Sequence, residues 1–166
     1  MKRRLIYFAA LFLLMLIAGV FWGTWFTLTR SLENFSADEF IHIGKEIISN
    51  VAVPMAIIMP AGILLIAFSL WLYRPKKSAG FYFGLASLVL IIMVLIVTLT
   101  ILVPIDNQIK QWTASTIPGD WQQIRNKWDM FHTVRTFASL LSFALFSVAI
   151  LAERKNETIS FKCFFH

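Results

Sequence analysis

Three side chains that could take part in chemistry recur at helical spacing near the end of the sequence: Trp128, His132 and Arg135. Residues three, four and seven positions apart lie on one face of an α-helix. An imidazole can accept or donate a proton near neutral pH, and a guanidinium can bind a carbonyl, an enolate or another anion. The spacing therefore predicts a helix face that combines an aromatic surface, a proton-transfer group and a fixed positive charge.

The same face continues with the small residues Ser139, Ser142 and Ala149, which favour close helix contact in a membrane. His132 and Arg135 are therefore expected to point into a helix bundle. A structural interpretation stays open for both side chains. Arg135 would then pair with a nearby aspartate, Asp106 or Asp129, or reach the membrane interface, and His132 would be an interface histidine.

Four uncharged runs must position these residues. About 20 apolar residues cross the hydrocarbon core of a bilayer. The fourth run is short, and no glycine or proline interrupts the chain after Trp121, so its helix is expected to begin outside the membrane. The sequence predicts an all-α membrane protein: a four-transmembrane-helix bundle with two structured outer loops, forming one domain over residues 1–166. The predicted spans are residues 5–26, 47–73, 79–105 and 132–152.

The net charge of +6 is a topology signal and does not indicate nucleic-acid binding. Lysine and arginine cluster at residues 2–4, 74–77 and 154–162, which fall on one side of a four-span arrangement. By the positive-inside rule, both termini are cytoplasmic and the loops at residues 27–46 and 106–135 face outward. The predicted location is a bacterial-type plasma (inner) membrane. The lipid bilayer is the expected partner, and oligomeric state is left open.

Local signals predict where individual helices begin, bend and end. Ser36 and Glu39 have the pattern of a capping box, which predicts a helix start in the first outer loop. Pro54 and Pro60 are expected to kink or open the second span. Pro104 is expected to end the third span, because proline lacks the N–H that an α-helix needs.

Small residues predict two places where helices approach closely. Gly80 and Gly84 have the small-xxx-small spacing of packed membrane helices. Gly19 and Gly23, with Ala18, are expected to allow a similar approach at the aromatic end of the first span.

Few residues could bind a metal or a redox cofactor. Cys163 is the only cysteine, which excludes an intramolecular disulfide and a cysteine-cluster metal site. No span interior contains a histidine pair for haem. One alternative stays open: a metal site made of His42, His132 and a carboxylate, if the outer loops fold together. The main interpretation predicts no cofactor and no metal.

The motifs resemble one known family. Its specific part includes an aromatic end to the first span and the stretch at residues 43–60. The remaining motif is Pro104-x-x-Asn107 followed by Arg125-x-x-Trp128-x-x-x-His132-x-x-Arg135-Thr136. This pattern is similar to the anthrone oxygenase-like family of small four-span membrane proteins, formerly a domain of unknown function. The similarity extends over nearly the whole chain.

The resemblance implies a chemistry. Some members of the family are thought to oxidise an anthrone to an anthraquinone with molecular oxygen and no evident cofactor. Such a reaction needs a base and a cation that holds the enolate, and His132 and Arg135 match these roles in kind. Trp128 and Trp25 would be stacking walls, with Asn107 and His42 as further ligand contacts.

Two interpretations of function therefore stand side by side. The first is a membrane protein whose outward-facing pocket binds a flat, apolar, phenolic or enolic small molecule and oxidises it. The second is a non-enzymatic membrane protein, a carrier or an accessory subunit, that uses its outer loops as a docking surface. Because the spans contain no carboxylates within the membrane, proton-coupled transport is disfavoured.

Overall fold

The computed structural model describes the backbone of residues 2–163 and the side chains of residues 3–153. These residues form helices without any strand, and four helical segments are long and apolar enough to cross a membrane. The predicted fold class is thereby confirmed. The side chains of Arg154, Lys155, Lys162 and Cys163, used above for topology and redox chemistry, lie outside the described side chains. In chain order the elements are α1 (Lys2–Thr27), a 3₁₀ turn (Thr29–Asn34), α2 (Ala37–Leu72), α3 (Ala79–Val97), a π-helical turn (Thr98–Leu102), α4 (Val103–Gln111) and α5 (Trp121–Cys163).

Local helix signals are largely confirmed. Ser36 accepts a hydrogen bond from the Glu39 amide, and the Glu39 carboxylate accepts one from the Ser36 amide at 2.8 Å, so the capping box begins α2. α5 runs without a break from Trp121 into the membrane, as predicted. α2 stays helical through Pro54 and Pro60, and the kink expected at these prolines stays a prediction.

The prediction that Pro104 ends the third span is wrong. The α3 backbone passes through the π-helical turn, in which the Val103 amide donates to the Thr98 carbonyl, and then continues as α4. Pro104 stands in the first turn of α4, where its missing N–H is tolerated. The third span therefore extends to Gln111 and includes Asp106, so the prediction that the spans contain no carboxylate, which disfavoured proton-coupled transport, is wrong.

One end of the bundle is tightly closed by polar contacts between helices. The start of α1 and the end of α5 are joined by the ion pair of Arg3 and Glu153. The Glu153 carboxylate also accepts from the Arg74 amide at 3.2 Å, and the Tyr73 hydroxyl donates to the Ala149 carbonyl at 2.8 Å. The start of α1, the end of α2 and the end of α5 thus meet here.

The small residues of α5 face the bundle interior, as their spacing predicts. Ser139, Ser142 and Ala149 are buried. Ser142 and Ser87 of α3 exchange hydrogen bonds: each hydroxyl donates to the other residue's carbonyl, at 2.9 and 2.8 Å. These reciprocal bonds hold α3 against α5 inside the bundle.

The glycines of the third span allow the predicted close packing. A Cβ at Gly84 would lie 2.5 Å from Leu70 Cδ2, and a Cβ at Gly80 would lie 2.9 Å from Ala152 Cβ and collide with the Tyr73 hydroxyl. The corresponding prediction for the first span is wrong, because a Cβ at Gly19 or Gly23 would meet nothing within 4 Å. Those two glycines face open space and do not mediate a helix contact.

This difference gives a matched stability test. We expect Gly80→Ala to lower the melting temperature of the purified protein, because the added methyl displaces the Tyr73 hydroxyl and presses on Ala152. Overpacking of this kind costs about 1–3 kcal/mol. Gly19→Ala makes the same chemical change with no neighbour and should leave the melting temperature unchanged or slightly higher. Equal melting curves for the two variants would contradict the packing described here.

The other end of the bundle is covered by the segments at residues 27–46 and 106–135. The Lys45 ammonium group donates to the Trp112 carbonyl at 2.6 Å, and the ring centroids of Phe40 and Trp121 lie 5.8 Å apart. Arg125, which is buried, donates to the Leu32 carbonyl at 3.2 Å. The 3₁₀ turn, α4 and the start of α5 therefore form a packed cap with its own apolar cluster.

Candidate functional site

A cavity of about 290 Å³ lies beneath this cap, in the half of the bundle that carries the start of α5. Every helix contributes to its walls, and most of the lining is aliphatic or aromatic. The lining residues are Val20, Phe21, Thr24, Ile47, Ile48, Val51, Ala52, Met55, Ala56, Met59, Pro60, Leu95, Thr98, Leu99, Val103, Asp106, Trp128, His132 and Arg135. Such a site, apolar with a few convergent polar groups, is typical of small-molecule binding.

His132 and Arg135 form one unit in the wall of this cavity. The Arg135 Nε and Nη2 atoms lie 3.0 and 2.9 Å from His132 Nδ1. The guanidinium carbon lies 4.5 Å from the centroid of the Phe21 ring, which it covers as a cation–π contact. Arg135 is therefore held between an imidazole nitrogen and an aromatic face.

These hydrogen bonds determine the tautomer that we assign to His132. A guanidinium only donates, so Nδ1 must be the accepting nitrogen and the proton of the neutral ring lies on Nε2. Nε2 is buried and has no hydrogen-bond partner among the described residues. In this arrangement His132 holds Arg135 through Nδ1 and can donate a hydrogen bond from Nε2. It has no free accepting nitrogen, so these roles are favoured over that of a general base.

Trp128 links this pair to a carboxylate. Its ring lies parallel to that of His132, with centroids 4.9 Å apart and an interplanar angle of 9°. On its other edge, the Trp128 indole N–H donates to Asp106 Oδ1 at 2.9 Å. Asp106 thus contacts the Trp128 ring and Arg135 contacts the His132 ring stacked on it, and all four residues line the same cavity.

Arg135 does not form the ion pair that a structural role was expected to supply. Within the described side chains, the ion pair found is that of Arg3 with Glu153, and neither Asp106 nor Asp129 pairs with Arg135. Asp129 Oδ1 is buried with no hydrogen-bond partner among the described residues. Arg135 and Asp106 therefore face the same apolar cavity without direct contact.

The comparison with known families decides the relationship of this chain. Residues 48–145, more than half of the sequence, match the model of the family described as anthrone oxygenase. The chain belongs to the anthrone oxygenase family. The matched range contains Asp106, Trp128, His132 and Arg135, and confirms the resemblance seen in the sequence. No protein of curated function and no solved structure matches the chain.

Not every predicted ligand contact lies in the cavity of this anthrone oxygenase family member. Trp25 packs on Trp22 and Phe137, and its indole N–H donates to the Thr133 hydroxyl at 3.1 Å. Asn107 and His42 are exposed, and neither they nor Trp25 line the cavity. Trp128, His132 and Arg135 are the predicted residues that the structure brings together, and their ligand-binding role stays a prediction.

The metal alternative receives no geometric support. His42 is exposed on α2, whereas His132 is 1% exposed within the bundle. Among the described residues, no group of three or more histidine, cysteine, aspartate or glutamate side chains is arranged to hold a metal ion.

Asp106 is the cavity residue that sequence reasoning considered solely as an ion-pair partner for Arg135. Asp106 lies in the cavity wall because the third span continues through Pro104 as a helix. The available signal was a carboxylate two residues after a proline at the boundary of a long apolar run, since ionisable groups at membrane depth are functional candidates.

Part of the cavity wall is also outer surface of the bundle, on α2 and on the π-helical turn with the start of α4. Ala52, Ala56 and Pro60 of α2 line the cavity and are also exposed, as are Leu99 and Val103 on the opposing side. These shared residues are apolar and lie in two segments that are long and apolar enough to span a membrane. We therefore expect them to form the rim of an entrance through which a ligand reaches the cavity from the lipid.

Proposed function

We propose that this protein binds a flat polycyclic phenol or enol in the cavity and oxidises it with molecular oxygen, without a cofactor. Anthrone is the model substrate that the family name supplies. The single observation that carries the proposal is Arg135, a cation in the wall of an apolar cavity that, among the described side chains, has no carboxylate within ion-pair distance. A buried charge without a partner is costly, so the site is suited to a ligand that carries or develops negative charge.

The proposed overall reaction balances as anthrone plus O₂ giving anthraquinone plus water. Loss of a proton from the methylene carbon leaves an electron-rich enolate. The enolate carbon adds O₂ to give a peroxide, which takes up the proton, and loss of water then yields the second carbonyl. The oxidant is O₂ and the electrons come from the substrate, so no further redox partner is needed.

The protein residues would act on the first step, where negative charge appears on the substrate oxygen. The Arg135 Nη1 group has no hydrogen-bond partner among the described residues, and it is available to donate to that oxygen. Charge-assisted donors fixed in a low-dielectric site stabilise a developing oxyanion strongly. His132 and Phe21 keep the guanidinium in place, so the group does not have to reorient when the charge develops on the substrate.

The dimensions and access of the cavity agree with such a ligand. Its volume of about 290 Å³ lies near the lower end of the range of about 300–1,000 Å³ for ligand pockets, which favours a compact fused-ring molecule over a whole lipid. An apolar entrance between α2 and the start of α4 would admit a ligand that is dissolved in the bilayer.

The direct test uses the purified protein in detergent or nanodiscs with anthrone. We expect quinone absorbance and O₂ consumption to appear in equal amounts and above the spontaneous rate, and Arg135→Ala protein prepared identically should remain at the spontaneous rate. Saturable anthrone binding without turnover would replace catalysis by the carrier interpretation. If the protein shows neither anthrone binding nor turnover, the proposed function is overturned.

We further propose that both termini face the cytoplasm of a bacterial-type plasma membrane and that the capped cavity faces outward. Support comes from the basic residues Arg3, Arg4 and Arg74, which lie at the end of the bundle opposite the cap. Alkaline phosphatase inserted after Ser115 should be active, and the same enzyme inserted after Lys77 should be inactive. The reverse activities would invert the topology and place the cavity on the cytoplasmic side.

A further inference from the structure

We propose that Asp106 is the proton acceptor of this site, the group that takes the methylene proton from the bound phenol or enol. The inference rests on the proposed function and names a residue in it that the family match does not assign. A base other than His132 is needed, because the accepting nitrogen of His132 is occupied by Arg135.

Among the described residues that line the cavity, Asp106 is the only carboxylate. The other polar lining groups are poorly suited to accept a proton. The Thr98 hydroxyl already donates to the Val94 carbonyl at 2.8 Å, and a neutral hydroxyl, an indole N–H and a guanidinium are not bases at neutral pH. A carboxylate has two accepting oxygens and can act as a general base.

The carboxylate is oriented and partly free. Asp106 Oδ1 accepts the Trp128 indole N–H at 2.9 Å, whereas Oδ2 has no hydrogen-bond partner among the described residues. One oxygen thus fixes the group to a buried ring, and the other remains available to a ligand in the cavity. The fixed ring is in turn stacked on His132.

Charge placement then follows the reaction. As the C–H bond breaks, the proton forms an O–H bond with Asp106 Oδ2, and the electron pair moves through the enolate to the substrate oxygen. The negative charge of Asp106 is lost and appears on the substrate oxygen, where Arg135, in the same cavity wall, can bind it. No oxidant is needed for this step, so it can be measured without O₂.

The experiment measures deuterium incorporation into the anthrone methylene group in D₂O under anaerobic conditions, with the intact protein in nanodiscs. Asp106→Asn keeps an oxygen that can accept from Trp128 but is not a base. We expect it to bind anthrone with an unchanged dissociation constant, measured by quenching of tryptophan fluorescence, and to lose exchange by about 100-fold or more, the usual effect of removing a general base. Asp38→Asn, at an exposed site on α2, is the matched control and should exchange as the unmodified protein does.

A second variant separates positioning from general damage. Trp128→Phe keeps an aromatic ring beside His132 but removes the N–H that holds Asp106; we expect exchange to fall by about 10-fold, less than in Asp106→Asn. If a folded Asp106→Asn protein keeps the exchange rate of the unmodified protein, Asp106 is not the proton acceptor, and the proposed function itself still stands. Failure of the unmodified protein to bind anthrone and to accelerate exchange would overturn the proposed function, and the assignment of Asp106 with it.

Discussion

Arg135→Ala is expected to reduce anthrone oxidation by about 100-fold or more, the usual cost of removing one donor to a developing oxyanion. The side chain is held by His132 and Phe21 in the cavity wall, so its loss removes the cation without altering the helix backbone. His132→Ala should have a similar effect, because Arg135 then loses the acceptor that orients it. Turnover would be followed by quinone absorbance and corrected for spontaneous oxidation.

The double variant sharpens this result. Residues that act as one unit show non-additive losses, so His132→Ala with Arg135→Ala should be little worse than either change alone. Arg30→Ala makes the same substitution at an exposed arginine that packs against Phe26 outside the cavity, and it should retain full activity. If both cavity variants stay folded by thermal denaturation and keep wild-type turnover, Arg135 does not bind the reacting molecule.

Ala56→Phe is expected to slow ligand binding by about 10-fold or more. Ala56 lines the cavity and is also exposed on α2, at the rim where we expect an opening toward the start of α4. A phenyl ring here would narrow that opening, and because no polar group is changed, the effect should fall mainly on the association rate. The measurement is stopped-flow quenching of tryptophan fluorescence by anthrone in nanodiscs.

Val53→Phe is the matched control for access. Val53 lies three residues earlier on α2 and is 67% exposed, but it does not line the cavity. Its substitution adds an aromatic ring to the same helix surface without obstructing the rim. An association rate that is equally slow in both variants, or unchanged in Ala56→Phe, would show that the ligand reaches the cavity by another path.

The sequence predicted the elements well because bilayer thickness constrains them strongly. Long uncharged runs have few alternatives to membrane helices, and the capping box at Ser36 and the uninterrupted α5 rest on local chemistry that tertiary packing does not override. Pro104 was misjudged because proline is disruptive only within a regular helix. The π-helical turn that makes it acceptable is a property of backbone hydrogen bonds, which residue types do not specify.

The site was predicted where its residues share one helix. Trp128, His132 and Arg135 are neighbours along α5, so their spacing alone placed them together. Asp106 joins them from another helix through a hydrogen bond to Trp128, a contact that depends on the packing of α4 against α5. Trp25 was expected in the same wall, but on α1 its side chain contacts Thr133 and Phe137 of α5 and does not line the cavity. Contacts between helices carry no periodic signal in one sequence.

The π-helical turn at Thr98–Leu102 also has a consequence for the length of the chain. Its hydrogen bonds close over five residues where an α-helix closes over four, so it accommodates one additional residue. Leu95 before the turn and Asp106 after it both line the cavity. A relative with one residue fewer in this segment would close the turn as ordinary α-helix and keep both side chains in place. We therefore expect a one-residue gap between homologous sequences to be tolerated here without loss of the carboxylate from the cavity.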